Sequence, residues 1–238
     1  TDPLGGLESL VSKSLIQHAT GEDGEPRFTM YESLIEFATE RLAESGEDEA
    51  VRIAHARYYL RLARQIALAL HTSDEAQAVR QFPMEYPNLR TAWLFAASRK
   101  DDELLELASE NFLRVFYTIA SVHDGVALYE TALETRRDQN TLVEADLLAG
   151  VALLSGQQTD AITEDHEAFA RTALAIYDQL GRPERKGYAL SVVASCHLDR
   201  GERESAEVVL DQLRNLGRTY DRPHLADHAE LVFALLVG

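Results

Sequence analysis

Residues 142–181 read LVEADLLAGVALLSGQQTDAITEDHEAFARTALAIYDQLG, and residues 184–217 read ERKGYALSVVASCHLDRGERESAEVVLDQLRNLG. Each stretch begins with an apolar, alanine-rich segment, and a second segment follows in which apolar residues recur every three to four positions. This spacing is typical of two successive helices that each bury one face. We therefore predict two helical pairs, 142–155 with 160–180 and 184–200 with 202–216, and a further helix over 224–237.

Small residues punctuate these pairs at positions where helices end or approach one another. We expect glycines to end both helices of each pair and alanines to lie at close helix contacts; these residues are Gly156, Gly181, Gly201, Gly217, Ala149, Ala194 and Ala229. A single amphipathic helix cannot bury its apolar stripe alone, so stacked pairs must supply the core. The predicted fold class is mainly α, a TPR-like α-solenoid of antiparallel helix pairs preceded by a partial winged helix with a small β-hairpin.

The N-terminal residues follow a different pattern. We predict, in order, a helix over 4–11, a strand over 14–19, a polar turn over 21–26, a strand over 27–31 and a helix over 34–42 with Gly46 as its C-cap. Helix, hairpin and helix in this order correspond to the C-terminal half of a winged-helix domain. We assign residues 1–46 to it. Thr1 is not a natural first residue, so we expect the chain to be a fragment.

The rest of the chain is predicted to be helical. Residues 47–100 are assigned to a helical linker or bundle, in which Pro83 and Pro87 break a helix that starts at Asp74, and Asn88 caps the next one. Residues 101–238 are assigned to degenerate TPR-like repeats. The first of these pairs a helix capped by Asp101 and Asp102 with a helix over 123–137.

Composition narrows the class of protein. Of the 238 residues, 45% are hydrophobic and 26% are charged, which is typical of a globular chain rather than a disordered one. The formal net charge of −17 repels phosphate backbones, so we expect no nucleic-acid binding by this segment. The single Cys196 excludes an internal disulfide and a cysteine-based zinc cluster. Without a signal peptide or an apolar membrane-spanning run, a cytoplasmic location and no membrane partner are expected.

Four separated segments, in a fixed order, resemble the winged-helix end of STAND-type ATPases, which include bacterial transcriptional regulators of the AfsR and LuxR-like kinds. The segments are Val11–Ile16, Arg27–Ala38 with Glu40–Gly46, His55–Leu60, and Tyr86–Ala92. The resemblance covers residues 4 to 138, and the remainder is similar only as degenerate TPR-like repeats.

The resemblance implies a multidomain signalling switch. In such proteins a nucleotide-binding domain lies upstream, and the repeats sense a ligand or a protein. This chain has no phosphate-binding loop of the form Gly-x-x-x-x-Gly-Lys-Ser/Thr. ATP and magnesium are therefore expected only on an upstream domain, and no cofactor is expected in this segment. The implied partners are a protein or peptide and the upstream nucleotide-binding domain.

Several clusters of residues have the types and spacing of metal, catalytic or ligand-binding sites, and each also has a simpler structural interpretation. His224 and His228 have the spacing of helical metal ligands, but we favour an ordinary helix surface. Cys196 beside His197 is interpreted as a small buried residue. The other clusters are an acid-flanked His166 with a raised pKa, a core of Trp93, Phe95, Phe112, Phe116 and Tyr117, and solvated carboxylates at Glu103, Glu106, Glu110, Glu202, Glu204 and Glu207.

The repeat arrangement predicts a binding groove. In TPR-like pairs the first helix of each pair lines the concave side. With Ala149 and Ala194 as packing residues, the side chains expected to face the groove are Arg114, Tyr117, Asp146, Tyr188, Ser191, Ser195 and Asp199. Mixed polar and aromatic side chains suit a peptide or polar ligand better than lipid. The same face is equally suited to packing on a neighbouring domain.

Three functions compete. The favoured one is a non-catalytic sensor or protein-interaction module of a STAND-type regulator. The second is an all-α enzyme, which would need convergent polar groups in a closed pocket that the sequence does not display. The third is a DNA-binding winged helix, which ranks last because residues 4–11 contain Glu8 and neither Arg nor Lys.

Overall fold

The computed structural model describes residues 3–20, 26–159 and 163–237, and within them the chain is mainly helical. The elements are α1 Pro3–Ser12, β1 Gln17–Thr20, β2 Pro26–Thr29, α2 Glu32–Ser45, α3 Asp48–Ala69, α4 Glu75–Arg99, α5 Asp102–Glu106, α6 Ser109–Thr118, α7 Val122–Leu133, α8 Leu142–Thr159, α9 Glu164–Gln179, α10 Gly187–Asp199, α11 Arg203–Thr219 and α12 Pro223–Val237. A short 3₁₀ turn, Pro183–Arg185, precedes α10. None of the described helices is long and apolar enough to cross a lipid bilayer.

Backbone contacts divide the chain into two compact units, residues 1–55 and 56–238. The first unit contains the predicted order of helix, hairpin and helix. Its two strands pair antiparallel with Gln17 opposite Thr29, and Gly46 ends α2 in the left-handed conformation, as expected. The polar turn expected between the strands falls largely on residues 21–25, which lie outside the described residues.

The first unit buries little of its apolar surface. Among its described residues, Ile16 is the only buried hydrophobic residue, and α2 has no buried residue. Phe37 and Ile35 on that helix are 57% and 50% exposed. Burial of apolar surface is the main force that offsets the loss of chain entropy, so this unit has little to stabilise it alone.

The second unit has one continuous core that extends from α3 to α12. Trp93 lies fully buried in its first part, where its indole Nε1 donates to the carbonyl of Leu128 at 2.9 Å and its ring packs 4.9 Å from that of Tyr129. The expected aromatic core is confirmed at Trp93, Phe112 and Phe116, which are at most 1% exposed. Phe95 and Tyr117 are partly buried against it.

From α7 onward each helix packs on the next, and α8 and α12 also pack on α10. The predicted pairs therefore correspond to α8 with α9 and α10 with α11. Gly181 and Gly201 follow the ends of α9 and α10 with φ of 63° and 72°, a left-handed conformation that favours glycine. The first residue predicted for the second helix of the 142–180 pair, Asp160, lies outside the described residues.

Two glycines expected at helix ends lie inside helices instead. Gly156 is buried within α8, and Gly217 lies within α11. A Cβ at Gly217 would be 3.1 Å from the backbone oxygen of Arg222 and 3.1 Å from the backbone nitrogen of Ala226. The small residue is therefore needed for close packing of α11 on the turn into α12, and not for ending a helix.

The predicted break at Pro83 and Pro87 is wrong, because α4 continues through both prolines. Each proline removes one helical hydrogen bond, at a cost of about 3 kcal/mol. The same helix buries Phe82, Leu89 and Trp93 completely or nearly so, and burying such side chains contributes about 2–3 kcal/mol each. Tertiary packing therefore outweighs the local preference, and Asn88, expected as a cap, is a mid-helix residue.

Asp101 caps a helix as predicted, and its carboxylate accepts a hydrogen bond from the backbone N–H of Leu104 at 3.0 Å. The helix expected to run from there through Phe116 is divided into α5 and α6. The break positions Ser109, whose buried backbone carbonyl accepts a hydrogen bond from the Tyr129 hydroxyl.

Replacement of Gly150 by alanine should destabilise the second unit. A Cβ at this position would lie 2.3 Å from Cδ1 of Tyr129, a fully buried ring that is held by its contacts with Trp93 and Ser109. We expect Gly150→Ala to lower the free energy of unfolding by about 1–3 kcal/mol in urea denaturation. The matched control is Gly6→Ala, which meets no atom within 4 Å and should leave stability unchanged or raise it slightly. Equal urea midpoints for Gly150→Ala and the unmodified chain would contradict this packing.

A fragment of residues 1–46 should not fold alone. Its described residues bury only Ile16 among the hydrophobic side chains, which is too small a core to offset chain entropy. We expect its amide proton signals to fall within the narrow range of an unfolded peptide in a two-dimensional NMR spectrum. Dispersed amide signals from this fragment would show that the prediction is wrong.

Candidate functional site

A cleft opens in the second unit between α6 and α12. Two adjoining cavities of about 370 and 190 Å³ form it. Its walls come from the end of α3, from α6, from the first turn of α10 and from the segment that leads into α12. The side chains that line both cavities are His71, Arg114, Tyr188, His224 and Asp227.

Close helix packing places α12 beside α10. Gly187 is the first residue of α10, and a Cβ there would lie 2.6 Å from both terminal methyl groups of Leu225. The absence of a side chain therefore lets α12 pack directly on the start of α10. This contact brings His224, one residue before Leu225, to a ring-centroid distance of 6.4 Å from Tyr188.

Ion pairs fix the floor of the cleft. Glu110 of α6 pairs with Arg185 at 3.0 Å and also with Arg222, which precedes α12. Arg185 in turn pairs with the buried Asp146 of α8 at 3.1 Å. The Asp146 carboxylate also accepts a hydrogen bond from the Tyr177 hydroxyl at 2.8 Å. Because buried charges are stable only when they are paired, this chain of contacts holds α6, α8, α9, the 3₁₀ turn and the segment before α12 in register.

Burial and its neighbours act in opposite directions on Asp146. Desolvation outweighs the Arg185 guanidinium and the hydrogen bonds from Ser109 and Tyr177, which lower the pKa, so the net pKa of this carboxyl is raised to about 6. At neutral pH Asp146 is therefore ionised and is held by three donors. Its role in the structure is to position Arg185, and through it Glu110.

Arg114 is the cationic side chain at the centre of the cleft. Its Nη2 donates to the backbone carbonyl of Leu70 at 2.7 Å, just beyond the end of α3. Its Nε is the one buried side-chain nitrogen or oxygen in the described residues that lacks a hydrogen-bond partner. An unsatisfied buried donor costs about 1–3 kcal/mol, so this atom is suited to an acceptor from outside the chain.

Two neutral histidines lie on the opposite wall. The Tyr117 hydroxyl and Nδ1 of His228 are 3.0 Å apart, with the rings packed edge to face. Burial lowers the pKa of His228 to about 4. Burial, followed by the charges of Arg114 and Arg222, lowers the pKa of His224 to about 3. Both rings are therefore uncharged at neutral pH and can donate or accept hydrogen bonds.

The structure brings together three of the seven side chains predicted to face a groove: Arg114, Tyr117 and Tyr188 line the cleft. Asp146 and Ser191 lie in the interior, 2% and 1% exposed. Asp146 is there because its hydrogen-bond and ion-pair partners come from distant segments, and the Ser191 hydroxyl donates to the carbonyl of Tyr188 within α10. Ser195 is half-buried and Asp199 is exposed on α10, and neither lines the cleft.

The structure corrects three interpretations of polar residues. Glu110 is not a solvated carboxylate, because its side chain is 12% exposed and paired with two arginines. His224 and His228 do not lie on an ordinary helix surface, since they line the cleft. The pKa of His166 is lowered, mainly by burial, and not raised. Cys196 is buried, as expected, and burial raises the pKa of its thiol to about 11.

Sequence reasoning missed His71, Asn111 and Arg222 as residues of the site. No local signal marks them, because the walls of the cleft come from segments more than 100 residues apart. The spacing of His224 and His228 was the one feature of the sequence that pointed to this part of the cleft. Among the described residues no group of three or more His, Cys, Asp or Glu side chains is arranged to hold a metal ion.

The chain is similar over most of its length to proteins provisionally named HTH-type transcriptional regulators. The similar proteins come from Mycobacterium bovis (strain ATCC BAA-935 / AF2122/97) and from the CDC 1551 and H37Rv strains of Mycobacterium tuberculosis, and each is 30% identical over 233 residues. The match covers 92% of this chain but spans only 25% of each of these proteins. No family model and no solved structure matches the chain.

The low pKa of His228 should make the protein sensitive to acid. In the unfolded chain a histidine titrates near pH 6.5, whereas His228 in the folded chain titrates near pH 4. Between these values the unfolded state binds more protons, so stability falls as the pH is lowered from 6.5 to 4. Each pKa unit is worth about 1.4 kcal/mol, which limits this loss to about 3–4 kcal/mol.

Urea unfolding of the His228→Gln variant at several pH values measures this contribution. Glutamine keeps a polar partner for Tyr117 but does not titrate, so the variant should lose less stability between pH 6.5 and 4 than the unmodified chain. His18→Gln, at an exposed residue of β1, serves as the matched control and should retain the full loss. If the His228→Gln variant and the unmodified chain show parallel stability profiles, His228 is not the buried neutral histidine described here.

Proposed function

We propose that this chain is a non-catalytic sensor and interaction module of a bacterial transcriptional regulator, and that the cleft between α6 and α12 is its binding site. The observation that carries the proposal is the cleft itself, in which Arg114, Tyr188 and His224 present polar atoms within a lining that is also aromatic and aliphatic. Concave sites with a few convergent polar groups are the usual form of ligand-binding sites. The similarity to proteins provisionally named transcriptional regulators supports the proposed cellular role.

The packing pattern supports a TPR-like solenoid for residues 101–238. The first helices of successive pairs, α8, α10 and α12, contact one another, and each second helix packs on the next first helix. This arrangement is typical of repeats in which the first helices form the inner surface. In such an arrangement the cleft would belong to the inner side, because α10 and α12 both contribute to it. It is therefore available to a protein, a peptide or a small ligand.

The proposal includes the other parts of a STAND-type regulator. The curated relatives are about four times as long as this chain, and we infer that a nucleotide-binding domain in the longer protein binds ATP and magnesium. Residues 1–46, as the C-terminal half of a winged helix, would then contact that domain. The formal charge of −17 favours a role without nucleic-acid contact for this segment, in a cytoplasmic protein.

Filling the cleft in the full-length regulator tests the proposal. Asp227 is exposed, lines both cavities and forms no hydrogen bond or ion pair with another described residue, so Asp227→Trp places an indole in the cleft without disturbing the core. Asp199→Trp is the matched control, because it makes the same change at an exposed residue of α10 outside the cleft. We expect RNA sequencing of the host to show that Asp227→Trp alters the transcripts that respond to deletion of the gene.

Immunoblots and circular dichroism must show normal amounts of folded protein for both variants. The strain with Asp199→Trp should match the unmodified strain. A normal transcript profile in the Asp227→Trp strain, with the protein folded and present, would refute a sensing role for the cleft.

A further inference from the structure

The cleft contains several hydrogen-bonding groups that the chain does not use. The Nε of Arg114 is buried and has no acceptor within the described residues. The side chains of Asn111, Tyr188 and His224 also line the cleft, and none of them forms a hydrogen bond with another described residue. Buried polar groups in native proteins are nearly always satisfied, so the buried Nε of Arg114 indicates a missing acceptor beside a cavity that these other polar side chains also line.

The charge of Arg114 is also uncompensated at short range. Glu110 is the nearest carboxylate on the same helix, but two other guanidinium groups, those of Arg222 and Arg185, occupy it. Arg114 forms no ion pair with a described residue, and its one hydrogen bond is to the neutral carbonyl of Leu70. Arginine stays protonated at all ordinary pH values, so the cleft holds a partly buried positive charge that is free to pair.

The remaining charged and titratable groups are distributed unevenly around Arg114. Tyr188 and the neutral His224 line both cavities, and Tyr117 and His228 line the smaller one. His71, just beyond the end of α3, is an exposed residue of the lining. The carboxylates of Asp221 and Asp227 belong to exposed residues at the rim. Solvent screens the charges of these exposed residues, and the remaining carboxylate of the lining, that of Glu110, is already paired with Arg185 and Arg222.

We propose that this cleft binds a small organic anion, whose carboxylate or phosphate head pairs with the Arg114 guanidinium. The planar guanidinium donates two parallel hydrogen bonds to such oxygens, and Tyr188 and His224 are placed to donate further ones. The apolar part of the ligand lies on Leu68, Leu70 and Pro223, which line the same cavity. A volume of about 370 Å³ suits a small molecule rather than a protein segment. This proposal rests on the proposed function, because it names the ligand of the same cleft.

Binding of an anion should be coupled to protonation of His224. Burial lowers the pKa of this histidine most, and the charges of Arg114 and Arg222 lower it further. A bound anion opposes those charges and favours the protonated ring, so the pKa of His224 rises on binding. By linkage, the anion binds more tightly as the pH falls toward the pKa of His224 in the complex.

NMR titration of the complete chain tests the proposal with four probes: benzoate, phenyl phosphate, inorganic phosphate and benzamide. The first three are anions, and benzamide has the size and ring of benzoate without its charge. We expect benzoate or phenyl phosphate to shift the Arg114 Nε–H signal and the His224 ring signals, and to raise the pKa of His224. Tighter binding of one of them identifies the head group, and benzamide should cause no comparable shift.

Variants assign the effect to Arg114. Arg114→Gln should weaken binding by about tenfold or more, since a charge-assisted hydrogen bond is lost. Arg203→Gln, at an exposed residue of α11, removes the same charge outside the cleft and should bind normally. Arg114→Lys keeps the charge but not the planar pair of donors, and Tyr188→Phe removes only a hydroxyl. Both should bind several-fold more weakly while remaining folded.

Equal shifts from benzamide and benzoate, or an absence of shifts with all three anions, would overturn the proposal. So would unchanged affinity in folded Arg114→Gln. If Arg114→Gln does not fold, unchanged affinity in both Arg114→Lys and Tyr188→Phe overturns it instead. The transcript profile of the Asp227→Trp strain does not depend on these results. An altered profile without anion binding would therefore show that the proposed anionic ligand is wrong, while the proposed sensing role of the cleft would stand.

Discussion

The paired charges that connect Asp146, Arg185, Glu110 and Arg222 are the constraint on which the cleft depends. The side chains of Asp146 and Arg185 are 1% and 11% exposed, and that of Glu110 is 12% exposed. Removing one member would leave its partner charged and buried, which typically costs about 3–5 kcal/mol. Since the four residues belong to α8, the 3₁₀ turn, α6 and the turn before α12, their pairing sets the distance between the walls. Replacing them with apolar residues would fill the same space but would not orient Glu110 toward Arg222.

This constraint explains why Arg114 keeps an unpaired charge. Glu110 lies one helical turn before Arg114 on α6, at a spacing that usually forms an ion pair. The contact with Arg222, 112 residues further along the chain, and the contact with Arg185 occupy Glu110 instead. The same two contacts therefore position α12 and leave Arg114 available. One set of ion pairs therefore both positions the walls of the cleft and leaves the Arg114 guanidinium free to bind a ligand.

The parts of the fold that depend on local spacing were predictable from the sequence. The helical periodicity around Ala149 and Ala194 indicated the pairs correctly, and that around Ala229 indicated the last helix; all three alanines are at most 1% exposed. Prediction failed where distant segments decide the outcome. Local preference breaks a helix at Pro83, yet burial of Phe82 and Trp93 maintains it. A polar residue such as Asp146 is ordinarily assigned to the surface, and only its partners from α6, α9 and the 3₁₀ turn make its burial stable.

The site shows the same division between local and distant information. The spacing of His224 and His228 indicated correctly that both lie on one helix face, but it did not show what this face meets. Tyr117, 111 residues before His228, is the group that faces it. The net charge was misleading in a related way. A formal charge of −17 describes the field far from the protein, which salt screens within about 10 Å at 0.1 M ionic strength. In the cleft the Arg114 guanidinium has no carboxylate partner among the described residues, because Glu110 is paired with Arg185 and Arg222. The charge available at this point is therefore positive, opposite in sign to the net charge of the chain. Recognition there depends on Arg114 and its neighbours, and overall composition is a poor guide to what an interior cleft of this kind binds.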